Sequence, residues 1–561
     1  MIITADQITQ SRVLADIDFA IIGSGAAGGV LAYYLSKAGY KVVVLEKGAY
    51  YPPEYLGMRE VAMWTKILSP TTFQPTHGKH TRVSLLMGQC YGGGTVASES
   101  VTWKLPDPVL QDWADMGLKS FSPGNPRNAA YHDELYRLLE VRPVEDKHHN
   151  QNNQLLKLAC QREGIEWVSV DRPCSFCMRC GFCTQGCRYE LKNDTPTTFL
   201  KWANEHGADC YTGCEVTNIR VNYEDEDDFP MRERLKARGE SSKDELKRQI
   251  QARRKNFNGY KFTITAEVSD RRETLSRGGD PERFGLTVKA RQVIVSAGAL
   301  ASPRILLKSR INGGGRVGKR FTLHPTAFTV AIFPKDVIID CFEGINDTVE
   351  CTHYAYFNRD KDYYDPERHG FYIEAAGSLP WGIANLLPGS GKDHLDLMRR
   401  YRNMGGMEVA IKSDSYGEIT ENEVRYDISD ADNERLIFGN KLVAKLFFHV
   451  GAKVLYPSLP GVVIRSPHEI DRLENRVNGK RIGFKTKQSH LHSGHPFGGN
   501  VMGTDRTNSV VDETCEMHDI KGLHVCDASA FPTTIGVNCC LSIMFLARKT
   551  ADHILEKIKG A

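Results

Sequence analysis

Apolar residues near the start of the chain fall into two runs with glycines between them. Asp18-Phe-Ala-Ile-Ile-Gly-Ser-Gly-Ala-Ala-Gly-Gly opens on an apolar run, breaks at Gly23 and continues as Val30-Leu-Ala-Tyr-Tyr-Leu35, which predicts a strand, a tight turn and a helix. The seventeen residues from 19 to 35 carry no charge, yet Gly23, Gly25, Gly28 and Gly29 interrupt them, a pattern that suits strand, turn and helix better than a bilayer span. Lys41-Val-Val-Val-Leu-Glu46 reads as a second buried strand. Further strands are expected at 216–221 and 523–526, and a strand, glycine turn and helix start at 286–303. From 321 to 480 the pattern shifts to alternating, aromatic-rich strands such as 327–333 and 370–376, with helices around 393–402 and 432–450.

The first of these units carries chemistry. Gly23-x-Gly25-x-x-Gly28 lies directly after a strand and directly before a helix. Gly23 permits the turn, Gly25 lets the backbone approach a pyrophosphate, and Gly28 lets helix pack on strand, so that the helix N-terminus faces the phosphates. Glu46 ends the second strand eighteen residues after Gly28, where a carboxylate accepts hydrogen bonds from ribose hydroxyls. A glycine-rich turn alone would be an ordinary loop; the strand, helix and terminal acid together predict a dinucleotide site, for NAD or FAD.

Composition narrows the class. The chain has 561 residues, enough for a large core, and 72 Lys and Arg against 69 Asp and Glu leave a net charge of +3, without the basic surplus of a nucleic-acid binder. No other run of eighteen apolar residues occurs, and no basic leader with a small-residue cleavage site opens the chain. The expectation is a cytoplasmic protein with no transmembrane segment and no nucleic-acid partner, associated with membranes or exported only through another chain.

Two further segments carry a resemblance. Leu86-Met-Gly-Gln-Cys-Tyr-Gly-Gly-Gly-Thr95 is a second glycine cluster, followed by Pro106-Asp-Pro-Val-Leu-Gln-Asp-Trp113. His495-Pro-Phe-Gly-Gly-Asn-Val-Met-Gly503 precedes Gly522-Leu-His-Val-Cys-Asp-Ala-Ser-Ala-Phe-Pro-Thr-Thr-Ile-Gly-Val-Asn538. Together these resemble the glucose-methanol-choline (GMC) flavin oxidoreductases, and the last segment is closest to variants that pair a His with an Asn, as in cholesterol oxidases and long-chain alcohol oxidases. The resemblance implies an α/β fold: a Rossmann-like FAD-binding domain assembled from 1–120, 190–320 and 485–561, and an α+β, sheet-containing substrate domain from 121–170 and 321–484. It places Gly93, Gly94, Ala297, Gly298, Asp527 and Ala528 at the flavin nucleotide and Val216 near the adenine. His495 becomes the proton acceptor and Asn538 its partner. Oxidation of an alcohol removes a hydroxyl proton, which an imidazole can take, and a carbon-bound hydride, which a flavin accepts. Two positions depart from the family: Ser98 stands where an Asn is usual, and Cys539 stands where proline usually follows the Asn. His490 and His492 sit beside His495, but no matching carboxylate motif accompanies them as in a metal site. His324 resembles a structural position.

The cysteines are unevenly spread. Five of fifteen fall within 174–187. Cys177, Cys180, Cys183 and Cys187 have the C-x2-C-x2-C-x3-C spacing of ferredoxin loops, with Cys174 as a competing ligand and Arg188 where those loops usually have proline. A zinc knuckle usually has two separated pairs, and a disulfide knot goes with export. The loop at 171–192 also resembles the cysteine-rich region of some bacterial GMC dehydrogenases for sugars and sugar acids, certain of which bind an iron-sulfur cluster. The expectation is a cluster of three or four irons that drains a two-electron flavin one electron at a time towards a cytochrome, quinone or small redox protein, with a small accessory subunit as a further partner.

The implied function is an FAD-dependent dehydrogenase that oxidises the CH-OH of a sugar, glycoside or polyol. The alternatives are a sterol or long-chain alcohol oxidase or dehydrogenase without a cluster, and a non-catalytic flavin and iron-sulfur relay subunit. A charged insertion is expected at 223–285: five acids run from 224 to 228, and ten Lys or Arg face four acids over 231–256. It reads as a solvated helical segment, or as a docking surface for an acceptor.

Overall fold

A computed structural model describes residues 1–57, 59–69, 75–174, 176–222, 259–270 and 281–560. Residues 224–228 and 231–256, the charged part of the expected insertion, lie outside the described residues.

One sheet carries the nucleotide motifs. Its strands run in the order Ile2–Ile3, Asp209–Tyr211, Val42–Leu45, Arg12–Ile22, Phe284–Val295, Phe262–Val268, Cys214–Val221, with Leu523–Val525 also paired to Phe284–Val295. The first five are mutually parallel, and Phe19, Ala20, Ile21 and Ile22 are all buried, because helices cover both faces of such a sheet. Val293, Ile294 and Val295 pair with Ala20, Ile21 and Ile22 on one side and with Leu523, His524 and Val525 on the other. The two ends of the chain thus meet across one central strand. Phe262–Val268 is an antiparallel partner of both Phe284–Val295 and Cys214–Val221. This strand falls within the stretch expected as a charged insertion; Phe262, Ile264, Ala266 and Val268 alternate inward, a period-two signal masked by the charges around it.

A second sheet runs Val83–Leu85, Leu491–Ser493, Thr326–Ile332, Met404–Ile411, Phe371–Glu374, Val349–Cys351, Trp167–Ser169. Helix Asp430–His449 packs on this sheet and on helix Gln151–Glu163. Ser429 caps its start: the Asp432 N–H donates to Ser429 Oγ at 3.0 Å. The strands at 83–85 and 491–493 come from segments expected with the nucleotide domain, and they carry the chain into the second sheet just before His495.

The helix Asp107–Asp115 docks the second glycine segment onto the carboxy-terminal one. Trp113 is fully buried, donates from Nε1 to Thr533 Oγ1 at 2.9 Å, and packs edge-on against Phe121 and Phe531. Trp113→Ala is expected to cost about 3–5 kcal/mol, seen as a lowered thermal midpoint; an unchanged midpoint would contradict this packing.

Candidate active site

A cavity of about 550 Å3 opens where the nucleotide sheet meets the second sheet. The turn after strand Arg12–Ile22 forms part of its wall. Gly23 has φ +102°, and a Cβ there would sit 2.4 Å from Ser296 O, so the site requires glycine. A Cβ on Gly28 would come within 2.0 Å of Gly23 O, which is why strand and helix approach so closely. At Gly25 a Cβ would meet nothing within 4 Å, and helix Ala26–Lys37 starts immediately after it, directed away from the cavity. Backbone N–H groups at a bare helix start of this kind are what a pyrophosphate needs.

Of the residues expected at the cofactor, Gly23, Gly25, Glu46, Gly93, Gly94, Val216, Ala297, Gly298, Asp527 and Ala528 line this cavity; Gly28 serves packing instead. Glu46 Oε2 accepts from Ser24 N–H at 2.9 Å and from Ser24 Oγ at 2.7 Å, while Oε1 accepts from Gly48 N–H at 2.6 Å. Three bonds leave part of the carboxylate's acceptor capacity for ribose hydroxyls. Asp527 accepts from Gly298 N–H at 2.9 Å, Ser302 Oγ at 2.5 Å and Ser529 N–H at 2.7 Å, locking the helix start at 298 to the carboxy-terminal segment. Burial raises both acids from their usual values, against the hydrogen bonds that lower them.

His495 and Asn538 line the same cavity. His495 is half-buried, and the loss of water around its ring lowers its titration to about 4, so the ring is neutral at physiological pH. Its Nδ1 lies 3.4 Å from Nδ1 of His324, whose Nε2 accepts from Gly536 N–H at 3.1 Å. His324, read from sequence as structural, therefore braces the ring of His495. Asn538 donates from Nδ2 to Glu374 Oε1 at 3.0 Å, and its buried Oδ1 has no partner among the described residues. No proline is needed to present it: Ile543 N–H donates to Cys539 O at 3.0 Å, opening helix Cys540–Gly560, and Glu374 holds the amide.

The wall also carries residues that the sequence reading missed. Glu374 and Glu408 line the cavity with Asp347 and Glu99. His492 Nε2 lies 3.1 Å from Glu408 Oε2, and Trp103 Nε1 donates to Glu350 at 3.0 and 3.2 Å. The signal was an acid inside an apolar strand, in Phe-Tyr-Ile-Glu374 and Met-Glu408-Val-Ala-Ile. Burial raises Glu350 to about 8, so it is largely protonated at pH 7. Its folded value lies above the unfolded one near 4.3, so its stabilising contribution is full below about 4.3 and is lost as pH rises through about 8. Glu350→Gln is expected to flatten that part of a melting-temperature profile against pH; an identical slope between about pH 4.3 and 8 would contradict it.

All five clustered cysteines, Cys174, Cys177, Cys180, Cys183 and Cys187, line a second cavity of about 310 Å3. Cys183 Sγ accepts from Arg172 Nη2 at 3.3 Å, Cys177 Sγ from Arg179 N–H at 3.3 Å, and Cys187 Sγ from Leu191 N–H at 3.4 Å. Burial pushes the Cys183 thiol up to about 12. Among the described residues no three or more His, Cys, Asp or Glu side chains converge as the ligands of a metal ion, so the expected ligand set is spread around a cavity wall rather than drawn to one point. Ser100 lines both cavities, and Thr184, next to Cys183, lines the first. Lys192 Nζ ties the two walls, donating to Val96 O at 2.6 Å, Ser98 O at 3.1 Å and Cys183 O at 3.0 Å. Ser98 thus contributes through its carbonyl. Among the described residues no helix is long and apolar enough to cross a membrane.

A Rossmann-type sheet with glycine turns after two of its central strands, at Gly23 and Gly298, and a His/Asn pair on the same cavity define an FAD-dependent oxidoreductase acting on alcohol carbons. GMC oxidoreductase family models match residues 17–249 and 275–326 for the amino-terminal part and 406–547 for the carboxy-terminal part: the chain belongs to the GMC oxidoreductases. It is 28% identical over 565 residues to a long-chain-alcohol oxidase of Arabidopsis thaliana, covering 97% of this chain and 68% of that protein. An uncharacterized GMC-type oxidoreductase of Mycobacterium tuberculosis is 25% identical, over 100% of this chain and 78% of that one. Among solved structures, formate oxidase of Aspergillus oryzae superposes with a TM-score of 0.65 at 14% identity, covering 99% of this chain and 100% of that one. Pyridoxine 4-oxidase from Mesorbium loti gives 0.62 at 14% identity, covering 96% and 99%.

Proposed function

We propose that the chain is a dehydrogenase that oxidises the CH-OH of a hydroxyl-rich alcohol, a sugar, glycoside or polyol, and passes the electrons out singly through an iron-sulfur cluster held at the cysteine cavity. The observation that carries this reading is the adjacency of two cavities: five thiols line one, the flavin residues line the other, and Ser100 belongs to both. When bound, the flavin supplies the acceptor for the hydride of the alcohol carbon.

The chain's own residues supply the rest. Asn538, whose Nδ2 carries a second N–H beyond the one given to Glu374, donates it to the substrate oxygen and orients it, leaving the hydroxyl proton free for His495. His495, neutral and braced by His324, takes the hydroxyl proton. Carboxyl groups of Glu374, Glu408 and Asp347 on the same wall suit additional substrate hydroxyls, which favours a polyol over a hydrocarbon chain. At the second cavity the donor set is thiols, four of them at ferredoxin spacing, and the sulfurs of Cys177, Cys183 and Cys187 already accept N–H bonds of the kind that tune a cluster's potential. A cluster spreads its ligands over its corners, so thiols around a wall suit it better than they suit a single ion. Phe176, Met178 and Tyr189 beside the cavity are 65%, 56% and 45% exposed, a rim suited to a cytochrome, quinone or small redox protein.

The named relatives support a second reading, long-chain alcohols as substrate. Iron and acid-labile sulfide analysis of the purified holoprotein, together with anaerobic addition of a hexose or a long-chain primary alcohol, separates the two. The proposal expects iron and sulfide alongside FAD, and faster bleaching of the flavin by the hexose. FAD without iron and sulfide, or rapid peroxide formation with no artificial acceptor, would overturn the dehydrogenase; faster bleaching by the long-chain alcohol would favour the second reading.

A further inference from the structure

Three acids stand in a row across the second sheet. In the strand ladder Glu350 is directly opposite Glu374, and Glu374 directly opposite Glu408. Adjacent strands lie about 4.8 Å apart, so the three carboxyl groups are neighbours on one face. Glu350 and Glu374 are 1% and 3% exposed, and the Glu408 side chain is 16% exposed. Like charges directly opposite one another in a sheet are destabilising, more so away from water, so three ionised carboxylates would not hold this arrangement. Hydrogens shared along the row would.

The row is joined to the catalytic pair. Glu408 meets His492, three residues before His495, and Glu374 holds Asn538. At the far end Trp103 donates to Glu350. Tyr372, two residues before Glu374, is 2% exposed, and its hydroxyl has no partner among the described residues although Glu374, Glu350 and Glu408 all act on it. The other charged groups facing the row are Asp347, which acts on Glu374, and Glu99 and Arg172, which act on Asp347. The single cation in that group faces the outer pair of acids, not the three in the ladder.

We propose that the row of Glu408, Glu374 and Glu350 is a proton relay, on which the hydroxyl proton taken up by His495 comes to rest. The proposal rests on the alcohol-oxidising reading of His495 and Asn538. A proton on His495 is short-lived: the loss of water around its ring disfavours the charged form, and its Nδ1 lies 3.4 Å from Nδ1 of His324. His495 and Glu408 line the same cavity, so the proton crosses from one to the other over that cavity, drawn by the Glu408 charge, and not along a direct hydrogen bond. The starting state is set by surroundings. Burial raises Glu374 and Glu350, whereas Glu408, against the same cost of burial, is lowered by its hydrogen bond with His492. One ionised carboxylate, Glu408 at His492, therefore ends the row, with protonated Glu374, which holds Asn538, beside it and protonated Glu350 beyond. At each transfer one N–H or O–H bond breaks and one O–H bond forms. No electrons move along the row, and its charge becomes more positive by one until a proton is returned to water.

Infrared spectra of the FAD-loaded protein at neutral pH test the resting state without any substrate. The relay expects protonated-carboxyl C=O bands that shift in D2O and are lost one at a time in Glu374→Gln and Glu350→Gln; wild-type protein without such bands overturns it. Anaerobic stopped-flow reduction by the alcohol, followed against pH, tests the transfer. Glu408→Gln should slow reduction by about 10²-fold or more and remove the acid limb that wild type owes to protonation of Glu408, and Glu374→Gln should displace that limb while the bound-flavin spectrum stays unchanged. Bands present but rates and acid limb identical to wild type in both variants would overturn the relay alone. A wild-type flavin that no alcohol bleaches would overturn the alcohol reading itself and the relay with it, an outcome recognised before any variant is made.

Discussion

His495→Ala is expected to slow reduction of the bound flavin by alcohol by about 10²–10⁴-fold, with FAD still bound. The size follows from the surroundings of the ring. His495 is the neutral imidazole on the wall of the flavin cavity that also carries Asn538, and its removal leaves the hydroxyl proton without that acceptor. Retention of FAD follows from a separate set of residues: Glu46 is held by Ser24 and Gly48, Asp527 by Gly298, Ser302 and Ser529, and none of these bonds passes through His495. Rapid-mixing measurement of flavin absorbance under anaerobic conditions reads both quantities. Full wild-type reduction rate in this variant would remove His495 from the chemistry, and loss of FAD would show that the ring supports the fold instead.

Cys183→Ala is expected to separate the two half-reactions. Of the five clustered thiols Cys183 is the nearest in sequence to the flavin cavity, since Thr184 lines that cavity and Lys192 grips the Cys183 carbonyl. Its loss should strip iron and sulfide from the protein and abolish turnover with a one-electron acceptor, while anaerobic bleaching of the flavin by alcohol continues at close to its original rate. Arg172, which donates to Cys183 Sγ as well as to Asn346 O, would lose one of its partners, so a few degrees of thermal midpoint are expected to go as well. Undiminished turnover with a one-electron acceptor would take the cysteine cavity out of the electron path.

The parts of this structure that a linear reading captures are those where a local rule determines a residue. Gly23, Gly25 and Gly28 are set by one turn and one helix start, and a Cβ at Gly23 or Gly28 collides with backbone atoms fixed by the turn. The cysteine spacing is equally local. What escaped is what only tertiary pairing creates. Glu350, Glu374 and Glu408 are distant in sequence, each a single acid in an apolar strand, and they become a unit only when the ladder register sets them side by side. The brace from His324 to His495 and the shared Ser100 wall arise in the same way, from segments brought together by the fold. Strand Phe262–Val268 was hidden for a different reason: its apolar alternation is short and lies among charges. Cys539 stands where proline usually follows the Asn, and the start of helix Cys540–Gly560 and the Glu374 carboxyl hold Asn538 without it.

The most direct test of the account is an anaerobic titration of the FAD-loaded protein with a hydroxyl-rich alcohol, followed by visible absorbance and by electron paramagnetic resonance on the same sample. The account predicts that the flavin bands bleach and that an iron-sulfur signal changes as electrons reach the cysteine cavity. Bleaching of the flavin with no paramagnetic iron-sulfur species at any stage of reduction, including with dithionite, would contradict it.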